Sequence, residues 1–291
     1  MKRAYVEYLR ERNGAPDFDT KTCAKREAFF AELDARPLVV SPASRLDPDT
    51  FQRNQGAKRL DPGLDRRTLW ALCAASVNLS EDWGVQYTFQ LRTDRDPDDP
   101  YAWVLLEENY HTRLLADCVR MLGAQMAPAA EPKPTTRFIL KALLHLPYAL
   151  SNVTILAAEI IGIAAFQLMK DEAHVLFAHE PEVLARIDCL FDQILIDEIG
   201  HVRWLNSRLG PVRLAFTRRV TPLLATAFLR DVPEIIELLG RDRLMGTIRT
   251  LARTGHVELD GARKHPLDAR LGHVEASTEE IEGVMALSLA G

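Results

Sequence analysis

Two short segments of the sequence place a glutamate three residues before a histidine inside an apolar helical run. These segments are Glu108 to His111 and Glu198 to His201. Side chains at positions i and i+3 share one face of a helix, so each carboxylate lies beside its imidazole. If the two faces are buried, both groups leave water, which is costly unless a partner compensates them. A metal ion is one such partner, and a satisfied core histidine is the alternative.

Two isolated glutamates extend the candidate set. Glu81 is the one glutamate in residues 34–106, and Glu159 is the one glutamate in residues 132–171. Both fall in the middle of apolar helical patterns. Four inward carboxylates repel one another, and two divalent cations between them supply an opposing charge. Oxygen ligands with a minority of imidazole suit iron or manganese better than copper or zinc. Because the residues beside Glu81 are polar, an exposed helix position is the alternative for it.

Further candidates lie beside these residues. Glu107 and Asp197 directly precede the two Glu-x-x-His motifs. A metal-bound imidazole generally donates its free N–H to a carboxylate, although helix-surface charges give the same pattern. Gly84 and Gly162 each follow an isolated glutamate by three residues, where the other two helices have histidine, and close helix packing is the alternative reason for them. We expect the volume beside the metals to be lined by Tyr87, Leu115, Phe166 and Leu205.

Apolar periodicity, proline and glycine locate the helices that must carry these residues. No strand pattern competes, so we expect an all-α chain. Long helices are predicted over 64–92, over 101–122, from Pro147 onward and over 181–209. Further helical segments are predicted in 1–35 and 136–145, over 212–239 with breaks near Pro222 and Pro233, and from the capping box at Ser277. The predicted domains are an N-terminal helical arm and extended connector (1–63), a helical bundle (64–240) and a C-terminal extension packed on it (241–291).

Composition limits the classes of partner and compartment. The net charge of the 291-residue chain is −5, with basic residues spread along it, which argues against nucleic acid. Four separated cysteines indicate neither a zinc site nor a disulfide framework. The helix around Glu159 is barely long enough for a membrane span, which needs about 20 apolar residues, and it carries that charge at its centre. The charged N-terminus lacks a signal peptide. We therefore expect a cytoplasmic protein with no membrane partner.

The ordered set Glu, Glu-x-x-His, Glu, Glu-x-x-His across four helices resembles the ferritin-like non-haem di-iron oxygenases. This group includes acyl-carrier-protein desaturases, bacterial multicomponent monooxygenases, aldehyde-deformylating oxygenases and arylamine N-oxygenases. The resemblance covers about residues 64–209. It implies a ferritin-like four-helix bundle core with additional N-terminal and C-terminal helices. It also implies a metal-ligand set of Glu81, Glu108, His111, Glu159, Glu198 and His201.

The resemblance further implies an O2-dependent oxidation of a small organic substrate through a peroxo-di-iron intermediate. The reaction would be hydroxylation, N-oxygenation or desaturation, with two iron ions per chain, O2 as cosubstrate and an external electron donor. Manganese is the alternative metal. Many desaturases and monooxygenases carry a threonine near the third-helix glutamate, whereas Ile160 and Ile161 follow Glu159 here. The N-oxygenases add a histidine at the position of Ile194. The subgroup therefore stays open.

Alternatives remain for function and partners. A ferritin-like metal storage or sensing protein without an organic substrate is the second hypothesis, and the long segment after Gly210 favours the enzyme. The expected partners are a small-molecule substrate, free or held by a carrier protein, and an electron-transfer protein. A homodimer is compatible with the sequence. An acidic carrier protein could dock on a group of basic residues near the end of the fourth helix. A solvated basic face is the alternative interpretation of this group. Its members are Arg203, Arg208, Arg213, Arg218 and Arg219.

Overall fold

The computed structural model describes residues 40–89, 101–128, 146–230 and 232–254, together with the single positions 31, 35, 131 and 140. Within these residues the secondary structure is helical and contains no strand, which confirms the all-α prediction. The helical segments predicted in 1–35, at 136–145 and from Ser277 lie outside the described ranges.

Eight α-helices and one π-helical segment are present in the described part of the chain. The π-helical segment, Val85–Phe89, directly continues the second α-helix. In chain order the α-helices are α1 (Pro48–Asn54), α2 (Arg66–Gly84), α3 (Tyr101–Arg120), α4 (Tyr148–Leu176), α5 (Pro181–Arg208), α6 (Pro211–Phe228), α7 (Pro233–Leu239) and α8 (Arg241–Thr254).

Local capping chemistry sets the ends of the long helices close to their predicted positions. The Asp65 carboxylate accepts hydrogen bonds from the backbone N–H groups of Arg67 and Thr68, which begins α2. Pro181 occupies the first turn of α5, where its missing N–H costs nothing. Gly123 follows α3 with a φ of 75°, a conformation that favours glycine at a helix C-terminus. The four predicted long helices are therefore confirmed as α2 to α5.

The four long helices pack in a closed ring. Helix α2 contacts α3, α3 contacts α5, α5 contacts α4, and α4 contacts α2. Helices α6, α7 and α8 all contact α4 from outside this ring, and α7 also covers α2. Helix α4 is therefore surrounded, which explains why its sequence is apolar on nearly every side.

Helix α4 is the one described helix that is long and apolar enough to cross a membrane, over Leu150–Leu176. The most apolar window of this helix is 72% buried inside the protein. The central helix of a soluble helical bundle is buried in the same way.

Three helical features differ from the sequence prediction. The connector predicted as extended contains α1, which Asp47 caps by accepting a hydrogen bond from the Thr50 backbone N–H at 3.1 Å. The predicted break at Pro222 is wrong, because α6 runs through it. Pro222 has no N–H to donate to the carbonyl of Arg218, but Arg218 is exposed, so water can satisfy that carbonyl. Packing against α4 and α8 keeps the helix continuous. Helix α8 was not predicted.

Candidate metal centre

The structure brings six acidic and imidazole side chains from α2, α3, α4 and α5 together in the ring. They form two groups of four that share Glu108 and Glu198. In each group the candidate ligand atoms all lie within 4.8 Å of one another, so each group could hold a metal ion. The first group, called the His111 group below, is Glu81, Glu108, His111 and Glu198; the second, called the His201 group, is Glu108, Glu159, Glu198 and His201.

The two histidines turn the same nitrogen toward the carboxylates. His111 Nδ1 lies 3.4 Å from Glu108 Oε2 and 3.3 Å from Glu198 Oε1. His201 Nδ1 lies 3.4 Å from Glu108 Oε1 and 3.3 Å from Glu159 Oε2. The two rings are 6.2 Å apart between centroids. Glu108 thus presents one oxygen to each histidine, which makes it a natural bridge between the two groups.

The opposite ring nitrogens face two further buried carboxylates. His111 Nε2 lies 3.3 Å from Asp197 Oδ2, and His201 Nε2 lies 3.1 Å from Glu107 Oε2. Each carboxylate comes from the helix that carries the other histidine. With Nε2–H donating to a carboxylate, the Nδ1 lone pair of each ring is directed toward the glutamates, which is the arrangement that a metal ligand needs. The sequence placed Glu107 and Asp197 beside the motifs but did not predict this crossed pairing.

Three atoms at the centre of the His111 group are buried and have no hydrogen-bond partner: Glu108 Oε2, His111 Nδ1 and Glu198 Oε1. They are the same atoms that face one another at 3.3 to 3.4 Å. Buried polar atoms are normally satisfied, so three adjacent unsatisfied ones need an explanation. A cation ligated by all three atoms would satisfy them together, and the donor set therefore fits a metal ion.

Burial and mutual repulsion raise the pKa of two of the glutamates. The pKa of Glu81 lies well above its usual value because of burial first and the charges of Glu108 and Glu198 next. The pKa of Glu198 is also raised well above its usual value, by burial and then by Glu159 and Glu108. Although Glu81 as a residue is only half-buried, its carboxyl group hydrogen-bonds Glu108 inside the cluster.

The pKa shifts of Glu108 and of both histidines favour the charged form of each group. Burial alone would raise the pKa of Glu108, but the neighbouring Glu81, His111 and His201 side chains outweigh burial and hold that pKa well below its usual value. Burial alone would lower the pKa of both histidines, but the carboxylates around each ring outweigh it and raise the pKa well above 6.5. Without a metal, protons therefore provide the positive charge that balances these acids.

The predicted pocket residues lie at different depths. A Cβ atom added to Gly162 would be 3.7 Å from Glu198 Oε2 and 3.7 Å from Phe166 Cε2, so this glycine is beside the cluster. Phe166, Leu115 and Leu205 are fully buried in the core. Gly84 ends α2 and Tyr87 lies in the π-helical segment, and both are partly buried. A substrate pocket lined by these residues stays a prediction.

The arginines proposed for carrier docking lie on two helices. Arg203 and Arg208 belong to α5, and the other three belong to α6. Arg208 is partly buried. The exposed members are Arg203, Arg213, Arg218 and Arg219. Docking of a carrier protein stays a prediction.

Sequence reasoning missed one buried polar residue at the cluster. Gln193 is fully buried one turn before Asp197 on α5, and its Nε2 donates to Asp197 Oδ2 at 2.8 Å. The sequence offered only a glutamine between Asp192 and the apolar run 194–196, a pattern that does not by itself connect this residue to the site.

The fold and the cluster define an all-α protein with a buried glutamate and histidine site able to hold metal. Comparison of the chain with protein-family models, curated proteins and solved structures found no match. The function is therefore inferred from the geometry of the site.

Proposed function

We propose that this protein is an O2-dependent non-haem di-iron oxygenase that oxidises a small organic substrate, built on a ferritin-like core of α2 to α5. The observation that carries the proposal is the set of three unpaired, buried atoms at the centre of the cluster: Glu108 Oε2, His111 Nδ1 and Glu198 Oε1. Packing alone leaves these atoms unsatisfied, whereas a bound metal ion would satisfy all of them.

The donor chemistry favours two divalent ions of the iron or manganese type. Four carboxylates and two imidazoles converge, and the shared residues Glu108 and Glu198 belong to both groups. Two divalent ions carry a charge of four, which balances the four carboxylates, and ligand sets dominated by oxygen favour these metals over copper and zinc. Held by these residues, a pair of ferrous ions would provide the electrons for O2 reduction, and an external donor would be needed to restore the ferrous state.

The residues of the chain bind, orient and shield this centre. Asp197 and Glu107 accept the Nε2–H groups and so hold both histidines with Nδ1 toward the glutamates. The cluster is closed to water on most sides, since His111 and His201 are fully buried. Gly162 keeps the helix backbone of α4 close to Glu198, with room for no more than a methyl group between them.

The packing of the later helices supports an enzyme over a storage protein. Helices α6 and α8 cover α4, and α7 covers both α4 and α2. A storage shell needs outer helix faces for contacts between subunits, and here the chain itself covers α4 and part of α2. The mass of the protein in solution tests this point, because a shell of many subunits would overturn the preference for an enzyme.

Metal loading and oxygen consumption test the proposal directly. Anaerobic titration with Fe2+ should saturate at about two ions per chain, and O2 consumption should then require a chemical reductant. Continued uptake of many ions per chain would indicate storage. Glu159→Ala should remove the metal of the His201 group and abolish O2 consumption. The matched control is Glu172→Gln on the same helix, which should keep both ions, since the Glu172 carboxylate is held by Arg66 and Arg243.

A further inference from the structure

Gln193 begins a chain of three side chains that ends at the metal centre. Its side chain is fully buried, and its Nε2 donates to Asp197 Oδ2 at 2.8 Å. The same aspartate oxygen lies 3.3 Å from His111 Nε2. Asp197 Oδ2 therefore accepts from two donors at once, one on its own helix and one on α3.

The other end of the glutamine amide is not satisfied. Gln193 Oε1 is buried and has no hydrogen-bond partner. A half-satisfied buried amide stabilises a fold less than an apolar side chain of similar volume. The neighbours of Gln193 along α5 include the fully buried Leu190 and Ile194, so an apolar residue would suit the surrounding core. What glutamine adds at this position is the N–H that reaches Asp197.

We propose that Gln193 is a positioning residue for the His111 half of the metal centre. It fixes Asp197 Oδ2, which in turn holds His111 with Nδ1 turned toward Glu108 and Glu198. This inference rests on the proposed metal centre and assigns a role within it that the Glu-x-x-His motifs do not contain.

The crossed pairing explains why such a residue is useful. Asp197 lies on α5, whereas His111 lies on α3, so their alignment depends on how the two helices pack. A second donor on the α5 side restricts rotation of the aspartate carboxylate. Without it, Asp197 has more orientations, and His111 spends less time with Nδ1 aimed into the His111 group.

The test compares Gln193→Met with the unaltered protein by anaerobic titration with Co2+, followed by its visible spectrum. We expect one of the two binding events to weaken about tenfold or more and the other to keep its affinity. The thermal midpoint of the metal-free variant should equal or exceed that of the unaltered protein. Removal of a residue with a purely structural role would instead lower the midpoint.

Asn54→Leu is the matched control. Asn54 is also a buried amide, and its Nδ2 donates to Asp61 Oδ2 at 3.0 Å, but α1 contributes no residue to the cluster. This control should lose stability and keep both Co2+ affinities.

The outcomes separate the inference from the proposed function. If Gln193→Met binds both ions with unaltered affinity, Gln193 has no positioning role, and the metal centre itself stands. If the variant loses stability and both affinities fall equally, the role of Gln193 is structural, and the inference is overturned. If the unaltered protein binds no Co2+ or Fe2+, the proposed metal centre fails, and the inference fails with it.

Discussion

Two glutamates on α4 are equally buried but are compensated in different ways. Glu159 is 6% exposed and Glu172 is 8% exposed. Glu172 receives Arg66 from α2 and Arg243 from α8, each with a nitrogen 2.6 Å from a carboxylate oxygen. The ion-pair partner of Glu159 is His201 Nδ1 at 3.3 Å. The fold thus supplies fixed positive charge to one acid, whereas the other lies in a cluster whose balance depends on protons or added cations.

Glu234 shows a third way of burying an acid. It is 4% exposed in the first turn of α7 and accepts a hydrogen bond from the Ser76 hydroxyl. Burial raises its pKa, and the hydrogen bond from Ser76 only partly opposes this shift. Arginine pairing, a raised pKa and a cluster of acids around histidines therefore occur within one molecule. Among the described residues, only the cluster leaves several adjacent buried atoms without partners, which is why we assign the metal to it.

The largest expected effect comes from Glu198, because it belongs to both groups. Glu198→Gln keeps the side-chain volume and removes the charge. We expect the affinity for both ions to fall by more than the roughly 100-fold typical for loss of an outer hydrogen-bond partner. The metal-free variant should be at least as stable as the unaltered protein, since repulsion with Glu159 and Glu108 is relieved. Metal content after dialysis and the thermal midpoint measure the two effects.

Glu172→Gln is the control for the contrast between Glu159 and Glu172 on α4. It should retain both ions and lose stability, because it leaves two arginines without their buried partner. Both arginine side chains are about half exposed, so the expected loss is modest, about 1 to 2 kcal/mol in urea unfolding. Loss of metal in this control would contradict the distinction between the two glutamates.

The next prediction concerns the release of protons from the cluster when metal binds. Raised pKa values for Glu81, Glu198 and both histidines mean that the metal-free fold holds protons that the metal ions must displace. Metal binding near neutral pH should therefore release protons, and the affinity should increase with pH. Calorimetric titrations in two buffers of different ionisation enthalpy measure the release. Equal heats in both buffers would contradict the prediction.

The same shifts set the pH dependence of the metal-free protein. A group whose pKa is raised on folding contributes stability below its unfolded pKa and loses it as the pH rises through its folded pKa. Four groups at the cluster have this sign, and Glu108, with its lowered pKa, has the opposite one. The metal-free protein should thus lose stability as the pH rises above about 4.5, where the contributions of the two glutamates begin to fall, and lose more above 6.5, where those of the two histidines begin to fall. Bound metal should restore this stability.

Local sequence signals were sufficient for much of the fold. The limits of α2 to α5 follow from apolar spacing, the Asp65 cap, Pro181 and Gly123, which act within a few residues of the chain. Helix α6 was not predicted to cross Pro222, because the packing that keeps it intact comes from α4 and α8. The Asp47 cap of α1 was readable in the sequence but lay in a segment rich in proline and glycine.

Part of the candidate site was likewise predictable from local sequence, and part depends on how the helices pack. The spacing of Glu108 and His111, like the isolation of Glu159 in an apolar helix, is visible in the sequence alone. The pairing of His201 with Glu107 was not predictable, because it depends on which faces of α3 and α5 meet. Gln193 was missed for the same reason, since its partner is significant only once Asp197 is known to reach His111.

The next prediction concerns Glu234, the buried glutamate that accepts a hydrogen bond from Ser76. Glu234→Gln should be more stable than the unaltered protein at high pH and equally stable below about pH 4.5, the usual value for a glutamate. The sign follows from the raised pKa: the stability that Glu234 contributes is present below its unfolded pKa and is lost as the pH rises. Urea unfolding of the metal-free proteins at about pH 4 and pH 8 measures the difference.

Ser76→Ala sharpens this prediction. The hydroxyl of Ser76 stabilises the charged form of Glu234, so its removal should raise the pKa further. The loss of stability with rising pH should then be steeper than in the unaltered protein. A variant that shows no change in this slope would mean that Glu234 does not titrate as proposed.

The smallest expected effect is at Gly162, next to the cluster. Its added Cβ would meet Glu198 Oε2 and Phe166 Cε2 at ordinary contact distance, so Gly162→Ala should be tolerated and should raise stability by about 0.5 to 1 kcal/mol. Gly162→Leu must displace Glu198 or Phe166 and should weaken both metal ions, because Glu198 is shared. Gly246 in α8 is the matched control, since nothing lies within 4 Å of its added Cβ. Gly246→Leu should leave metal affinity unchanged, and an equal loss in both leucine variants would show that Gly162 has no special relation to the cluster.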